Sequence, residues 1–223
     1  MLRTNLLSDR LAGLETSPEE ERRALEALRA GTPVSDLQFD ALYPAHLRKL
    51  SFVHWTPLRV ARRAAELLVD RPGTSVLDVG SGAGKLCIVG ALTTSGRFVG
   101  IECRRALVET GVDVVARHGI PRVELVHGDM STVDFGAFDA IYFYNPFYER
   151  LMAHSRSDEG SAETLRRHER EVSHVERQLA RARAGMRVVT FHGFGGVWPP
   201  GYQRVAHERY GTGLLELWRK EEA

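Results

Sequence analysis

Three acids, an asparagine and a run of alternate glycines carry most of the chemistry legible in this chain. Asp78, Gly80, Gly82 and Gly84 stand at alternate positions in SVLDVGSGAGKLCIVGALTTSGRFVGIE, which runs from Ser75 to Glu102. The order is a strand, a glycine turn, a helix and a second strand closed by an acid. A turn without β-carbons takes unusual dihedrals and lets a ligand approach bare backbone. The stretch therefore points to an adenosine cofactor held by Asp78, Gly80, Ser81, Gly82, Gly84, Glu102 and Cys103. The dinucleotide fingerprint places its third glycine one position later, where this chain has Lys85, and a nicotinamide dehydrogenase is disfavoured on that ground.

Farther along, a short apolar strand from Arg122 to His127 is followed by Gly128, Asp129 and Met130, and FDAIYFYNPFYE reads as a buried strand opening into Asn145-Pro146-Phe147-Tyr148. The G-x-G-x-G spacing behind Asp78, together with these downstream segments, resembles the class I S-adenosylmethionine-dependent methyltransferases. The resemblance covers Phe52 to the carboxyl terminus. It implies that Asp78 and the glycine turn hold the methionine part and that Glu102 takes the ribose. It further implies that Asp129, beside Met130, accepts from the adenine amino group, and that Asn145 lies next to the transferable methyl group. The tetrapeptide at Asn145 is similar to the N/D-P-P-Y/F motif of amino-group methyltransferases, with Phe147 in place of the second proline. That departure weakens an adenine or glutamine acceptor. Taken together, DVGSGAGK, VGIE, HGDM and the asparagine resemble the non-SET histone-lysine methyltransferase family and its bacterial relatives, without that family's long amino-terminal region.

The elements that must position these residues alternate strand and helix from Ser75 onward, which implies a parallel sheet covered on both faces. A closing hairpin, Gln203 to Tyr210 and Gly213 to Arg219, gives the expected fold: a three-layer α/β, Rossmann-like, seven-stranded sheet with an antiparallel end. A helical cap over residues 1–50 precedes the methyltransferase domain at 51–223. Ser17, Pro18 and Glu20 form a capping box and Gly31 a stop signal, a second helix is expected from Ser35 to Leu50, and a third after Thr56-Pro57. A long helix is expected from Ala162 to Ala184, its stripe of Leu165, Val172 and Leu179 with His168, Val175 and Ala182 lying on the sheet.

The chain has 223 residues, enough for one well-buried domain and a small appendage. With 30 basic and 29 acidic residues the net charge is +1, so no overall field draws it to nucleic acid or an anionic membrane. Cys87 and Cys103 read as free thiols of a reducing compartment, no apolar run approaches bilayer length, and the nine histidines lack metal-site spacing. A soluble, cytoplasmic, metal-free monomer or homodimer is expected.

In an open sheet of this kind the ligand lies beyond the carboxyl ends of the strands, where strand order reverses. Asn145 and Tyr148 after the fourth strand and His192 after the fifth are the candidate catalytic residues. His54, with Trp55, is a candidate flap over the cofactor. Methyl transfer needs alignment and a dry pocket, and a base such as His54 or His192 where the acceptor is a hydroxyl. The expected function is methyl transfer to an amino nitrogen of a protein or small molecule. Small-molecule O-methylation and a non-catalytic S-adenosylmethionine-binding module are the alternatives.

Overall fold

A computed structural model of the chain describes residues 16–144 and 158–222. Helix α1 (Pro18–Arg29) begins at the capping box read from the sequence: the Ser17 side chain accepts from Glu20 N, and the Glu20 carboxylate reaches back to Ser17. The single helix expected from Ser35 to Leu50 is instead two, α2 (Asp36–Asp40) and α3 (Ala45–His54). Pro44 explains the break. Having no N–H, it cannot continue α2, and its fixed φ suits the position where it stands, at the amino-terminal cap of α3. Helix α4 (Leu58–Leu68) follows Thr56-Pro57 as expected.

The sheet is laid down as β1 (Ser75–Val79), β2 (Arg97–Glu102), β3 (Val123–His127), β4 (Ala140–Tyr144), β5 (Arg187–Phe191), β6 (Tyr202–Tyr210) and β7 (Gly213–Lys220). Helices α5 (Lys85–Thr93), α6 (Arg105–Arg117) and α7 (Asp158–Arg181) alternate with them. Strand order is β3-β2-β1-β4-β5-β7-β6. The first five strands run parallel and β7 lies antiparallel between β5 and β6, so the sheet is the seven-stranded one expected. Order reverses between β1 and β4, which fixes a crevice above Val79 and Tyr144.

Two apolar layers hold the sheet. On one face Leu25, Leu28, Phe39, Leu42 and Tyr43 from the amino-terminal region share a cluster with Val60, Ala64 and Leu68 of α4, Leu86 to Val89 of α5, and Val76 and Tyr142 of the sheet. The amino-terminal helices are thus part of the main core. On the other face Val175, Leu179 and Ala182 of α7 pack on Leu77, Ile141 and Val188. The heptad stripe on α7 is a helix-on-sheet face only in its carboxyl-terminal half, because Leu165 is half exposed where the helix extends past the packed sheet. Helix α7 also starts four residues before the expected Ala162.

The connection from β5 to β6, residues 192–201, carries no helix. Its aromatic side chains cover the sheet instead: Phe194 lies edge-on to Trp198 at 5.0 Å, and Trp198 stacks on Trp218 of β7 at 4.4 Å. No helix among the described residues is long and apolar enough to cross a membrane.

Phe39 has no exposed surface, so Phe39→Ala should cost about 3–5 kcal/mol of stability. Urea unfolding followed by both tryptophan fluorescence and far-UV circular dichroism should show one shifted transition. A loss under 1 kcal/mol, or an early separate transition, would mean that the amino-terminal helices fold on their own.

Candidate functional site

The turn after β1 is tied to the end of β2. Gly80 N and Ser81 N both donate to Ile101 O, at 2.9 and 3.1 Å, and Gly82 N donates to Glu102 Oε2 at 3.0 Å. Gly80, Gly82 and Gly84 all have positive φ, between 58° and 80°. Their surroundings differ. No atom lies within 4 Å of the place a β-carbon on Gly82 would take, so that residue faces open space. A β-carbon on Gly84 would fall 2.7 Å from Leu125 Cδ1, so Gly84 permits close packing of α5 on β3. The open cradle at Gly82 fits a ligand laid against backbone. Ser81 turns its hydroxyl away, toward the backbone of Gly100, where it is buried without a hydrogen-bond partner.

Glu102 is 3 % exposed, and its carboxylate is fully engaged. Besides Gly82 N it accepts from Arg104 N at 2.8 Å, from Arg104 Nε and Nη2 at 3.0 and 3.2 Å, and from the Cys103 thiol at 3.4 Å. Burial pushes its pKa up, but the Arg104 contacts outweigh this and hold it below the usual glutamate value. The Arg104 guanidinium is half exposed, so it can leave the carboxylate to an incoming pair of hydroxyls while both backbone N–H groups keep the carboxylate aimed. Sequence reasoning missed Arg104, which nothing but its place two residues after Glu102 could have suggested.

Asp78 points into the face covered by α4 and α5. It is buried among Cys87, whose thiol lies 3.6 Å from Oδ2, and Tyr142, its register partner on β4. The Tyr142 hydroxyl in turn meets Thr56 Oγ1 at 3.0 Å. Burial raises the Asp78 pKa to about 7, against a small lowering by the Cys87 thiol. Asp129 is exposed and caps the short 3-10 turn Met130–Thr132, Ser131 N donating to its Oδ1 at 2.9 Å; Met130 packs against the second core.

Trp55 is not a loose flap. It is 9 % exposed, edge-on to Tyr43 at 4.7 Å, and belongs to the core. His54 ends α3, and its side chain lies outside those described; Asn145 and Tyr148 lie outside the described residues. His192 follows β5 with a φ of 64°, a left-handed conformation unusual for a side chain with a β-carbon. Its ring stands 4.4 Å from Phe191 and 6.0 Å from Tyr144, and partial burial lowers its pKa, so the imidazole is neutral at neutral pH. The structure thus gathers Gly80, Gly82, Glu102, Cys103 and Asp129 at the ends of β1 to β3 and His192 at the end of β5. Ser81, Gly84 and Trp55 are turned into packing. Among the described residues no group of three histidine, cysteine or acidic side chains could hold a metal ion.

Residues 55–145 match the family model for protein-L-isoaspartate(D-aspartate) O-methyltransferase, a span of less than half the chain that covers the first four strands and the glycine turn. Among solved structures, an RNA methyltransferase from Salinibacter ruber in complex with S-adenosyl-L-homocysteine is similar at a TM-score of 0.55 and 22% identity, over 75% of this chain and 94% of that one. TrmN from Thermus thermophilus has a TM-score of 0.55 and 17% identity, over 79% and 53%. The [4+2]-cyclase SpnF has a TM-score of 0.55 and 16% identity, over 92% and 94%. No curated protein matches the sequence. Fold alone does not choose a reaction, as the cyclase illustrates; the family match over residues 55–145 supports methyl transfer. The fold is that of the class I methyltransferases, and the partial family match supports an S-adenosylmethionine-dependent methyltransferase.

Asp78 makes stability depend on pH in a direction opposite to that of a carboxylate held ionised by a partner, such as Glu102. Below its unfolded value near 4 it is neutral in both states. Between about pH 4 and 7 the unfolded chain gives up this proton while the folded one keeps it, so stability falls as pH rises, and above 7 the full penalty, on the order of 4 kcal/mol, is present. Asp78→Asn should remove this component. Urea midpoints from pH 5 to 8 should decline less in the variant than in wild type; parallel curves would assign the proton elsewhere.

Proposed function

We propose that the chain transfers a methyl group from S-adenosylmethionine to an amino nitrogen, on a protein or a small molecule, delivered above the ends of β4 and β5. The observation that carries this reading is the juncture of Gly82 and Glu102, where open space over a bare backbone adjoins a carboxylate aimed by two N–H groups. In this reading Glu102 would accept the two ribose hydroxyls in place of the Arg104 guanidinium. Asp129 keeps Oδ1 on Ser131 N, and its Oδ2, 3.8 Å from the Arg167 guanidinium, would accept from the adenine amino group. The Gly80-to-Gly82 backbone, with Asp78, would hold the methionine part.

When bound, the cofactor supplies a methyl group activated by a sulfonium. The protein's share is to align the acceptor lone pair and exclude water. By the motif resemblance, Asn145 would accept a hydrogen bond from the acceptor N–H and so aim its lone pair, and Tyr148 would pack on the acceptor's carrier. The methylated nitrogen carries one proton more than a neutral product, and the neutral imidazole of His192 would take it in this reading. A second reading, transfer to oxygen, is favoured by the family match, whose name is that of an O-methyltransferase. There His192 would remove the hydroxyl proton. The likeness to histone-lysine enzymes rests on sequence words alone and supports lysine only as one acceptor among several.

Glu102→Ala should weaken S-adenosylhomocysteine binding by about 1–3 kcal/mol in a calorimetric titration, and unchanged affinity would remove Glu102 from the site. Gly82→Val should abolish binding, because its side chain would fill the cradle. Asn145→Ala should keep most of the affinity and lose turnover on the order of a hundredfold. Tritiated S-adenosylmethionine offered with a host extract reports the acceptor: acid-stable label in protein or small amines supports nitrogen, and base-labile label points to carboxyl oxygen. Label no higher than in the Gly82→Val control would count against methyl transfer by this chain.

A further inference from the structure

We infer that Lys85 is a positioning residue that couples docking of the amino-terminal helices to capture of the cofactor. The inference rests on the cofactor reading above and concerns what holds the glycine turn in its binding shape.

Lys85 directly follows Gly84 and is the first residue of α5, so its backbone belongs to the turn. Its ammonium belongs to a different part of the molecule. It donates to Asp36 Oδ1 at 2.6 Å, to Asp40 Oδ1 at 2.8 Å and to Ser51 Oγ at 3.3 Å, reaching α2 twice and α3 once. Asp36 Oδ1 also accepts from Leu58 N at 2.7 Å, which brings in the first turn of α4. The ammonium stands 5.6 Å from the Phe39 ring centroid and 5.9 Å from that of Trp55. The side chains of Lys85 and Asp40 are each only 5 % exposed.

A cation in the first turn of a helix opposes the helix dipole, and an ammonium buried without partners is far costlier still. Both costs are met only while α2 and α3 are docked. Undocking removes all three partners at once and frees the first turn of α5, which leaves the glycine turn ahead of it without support. A ligand seated on Gly82 would in turn hold α5, and with it Lys85, where the two aspartates need the ammonium. Such coupling is reciprocal by linkage.

Hydrogen exchange of the full chain with and without S-adenosylhomocysteine tests this. Protection by the ligand should spread beyond residues 80–84 and 102 into residues 36–55. In the triple variant Lys85→Met/Asp36→Asn/Asp40→Asn no buried charge is orphaned, so the fold should survive. That variant should bind S-adenosylhomocysteine about tenfold more weakly, with protection confined to the turn. A role limited to stability would leave affinity and the spread of protection as in wild type, and that result overturns the coupling. So does wild-type binding whose protection stops at the turn, a result that needs no variant to fold. Absence of any wild-type binding removes the cofactor reading itself, and the coupling with it.

Discussion

One buried ammonium organises the half of this molecule that faces the cofactor turn. Lys85 sits where a dinucleotide enzyme would carry its third glycine, and its side chain is answered by Asp36 and Asp40 from a short helix some fifty positions earlier. Burial raises the Asp40 pKa, and the Lys85 charge offsets only part of that rise. The pair is tolerable in a dry core because each charge neutralises the other and Ser51 adds a further hydrogen bond. The amino-terminal helices, α4 and the start of α5 meet at this point, and the aromatic rings of Phe39, Tyr43 and Trp55 close around it.

The chemistry of the crevice divides by depth. Asp78 lies deep in an apolar layer and holds its proton unusually tightly, with a thiol as its hydrogen-bond donor. Glu102, one strand over, is just as hidden but is kept ionised by an arginine and two backbone N–H groups. Two carboxylates on adjacent strands are thus driven to opposite protonation behaviour by their partners. A neutral acid can support the turn without repelling its neighbour, and a charged one can accept hydrogen bonds. The opposite end of the crevice is aromatic, with His192, Phe191 and Tyr144 in a row and a strap of Phe194 and Trp198 behind. Such walls exclude water, which is what transfer between a sulfonium and a lone pair requires.

The fold class, the strand order's antiparallel end and the position of the glycine turn were legible in the sequence because each depends on local pattern. Alternating strand and helix periods, glycines at fixed spacing and an acid at a strand end are properties of neighbouring residues. The same holds for the capping box at Ser17 and for the helix after Pro57. The break at Pro44 was legible in principle, since proline's missing N–H is a local fact, yet one helix was expected from Ser35 to Leu50.

Only the tertiary structure decided the roles that depend on residues distant in the chain. Nothing in the sequence around Lys85 marks it as the partner of Asp36 and Asp40, because an ion pair between segments about fifty residues apart leaves no periodic trace. Trp55 looked like a flap and is a core residue, since its surroundings are set by Tyr43 and Lys85. Gly82 and Gly84 are indistinguishable as letters, yet one faces open space and the other faces Leu125, a difference made by the strand that packs beside the turn. The sequence by itself determined which elements form and where a cofactor turn falls among them. The packing of those elements determined which side chains are free to meet a ligand, because burial and partnership belong to pairs of residues that only folding brings together.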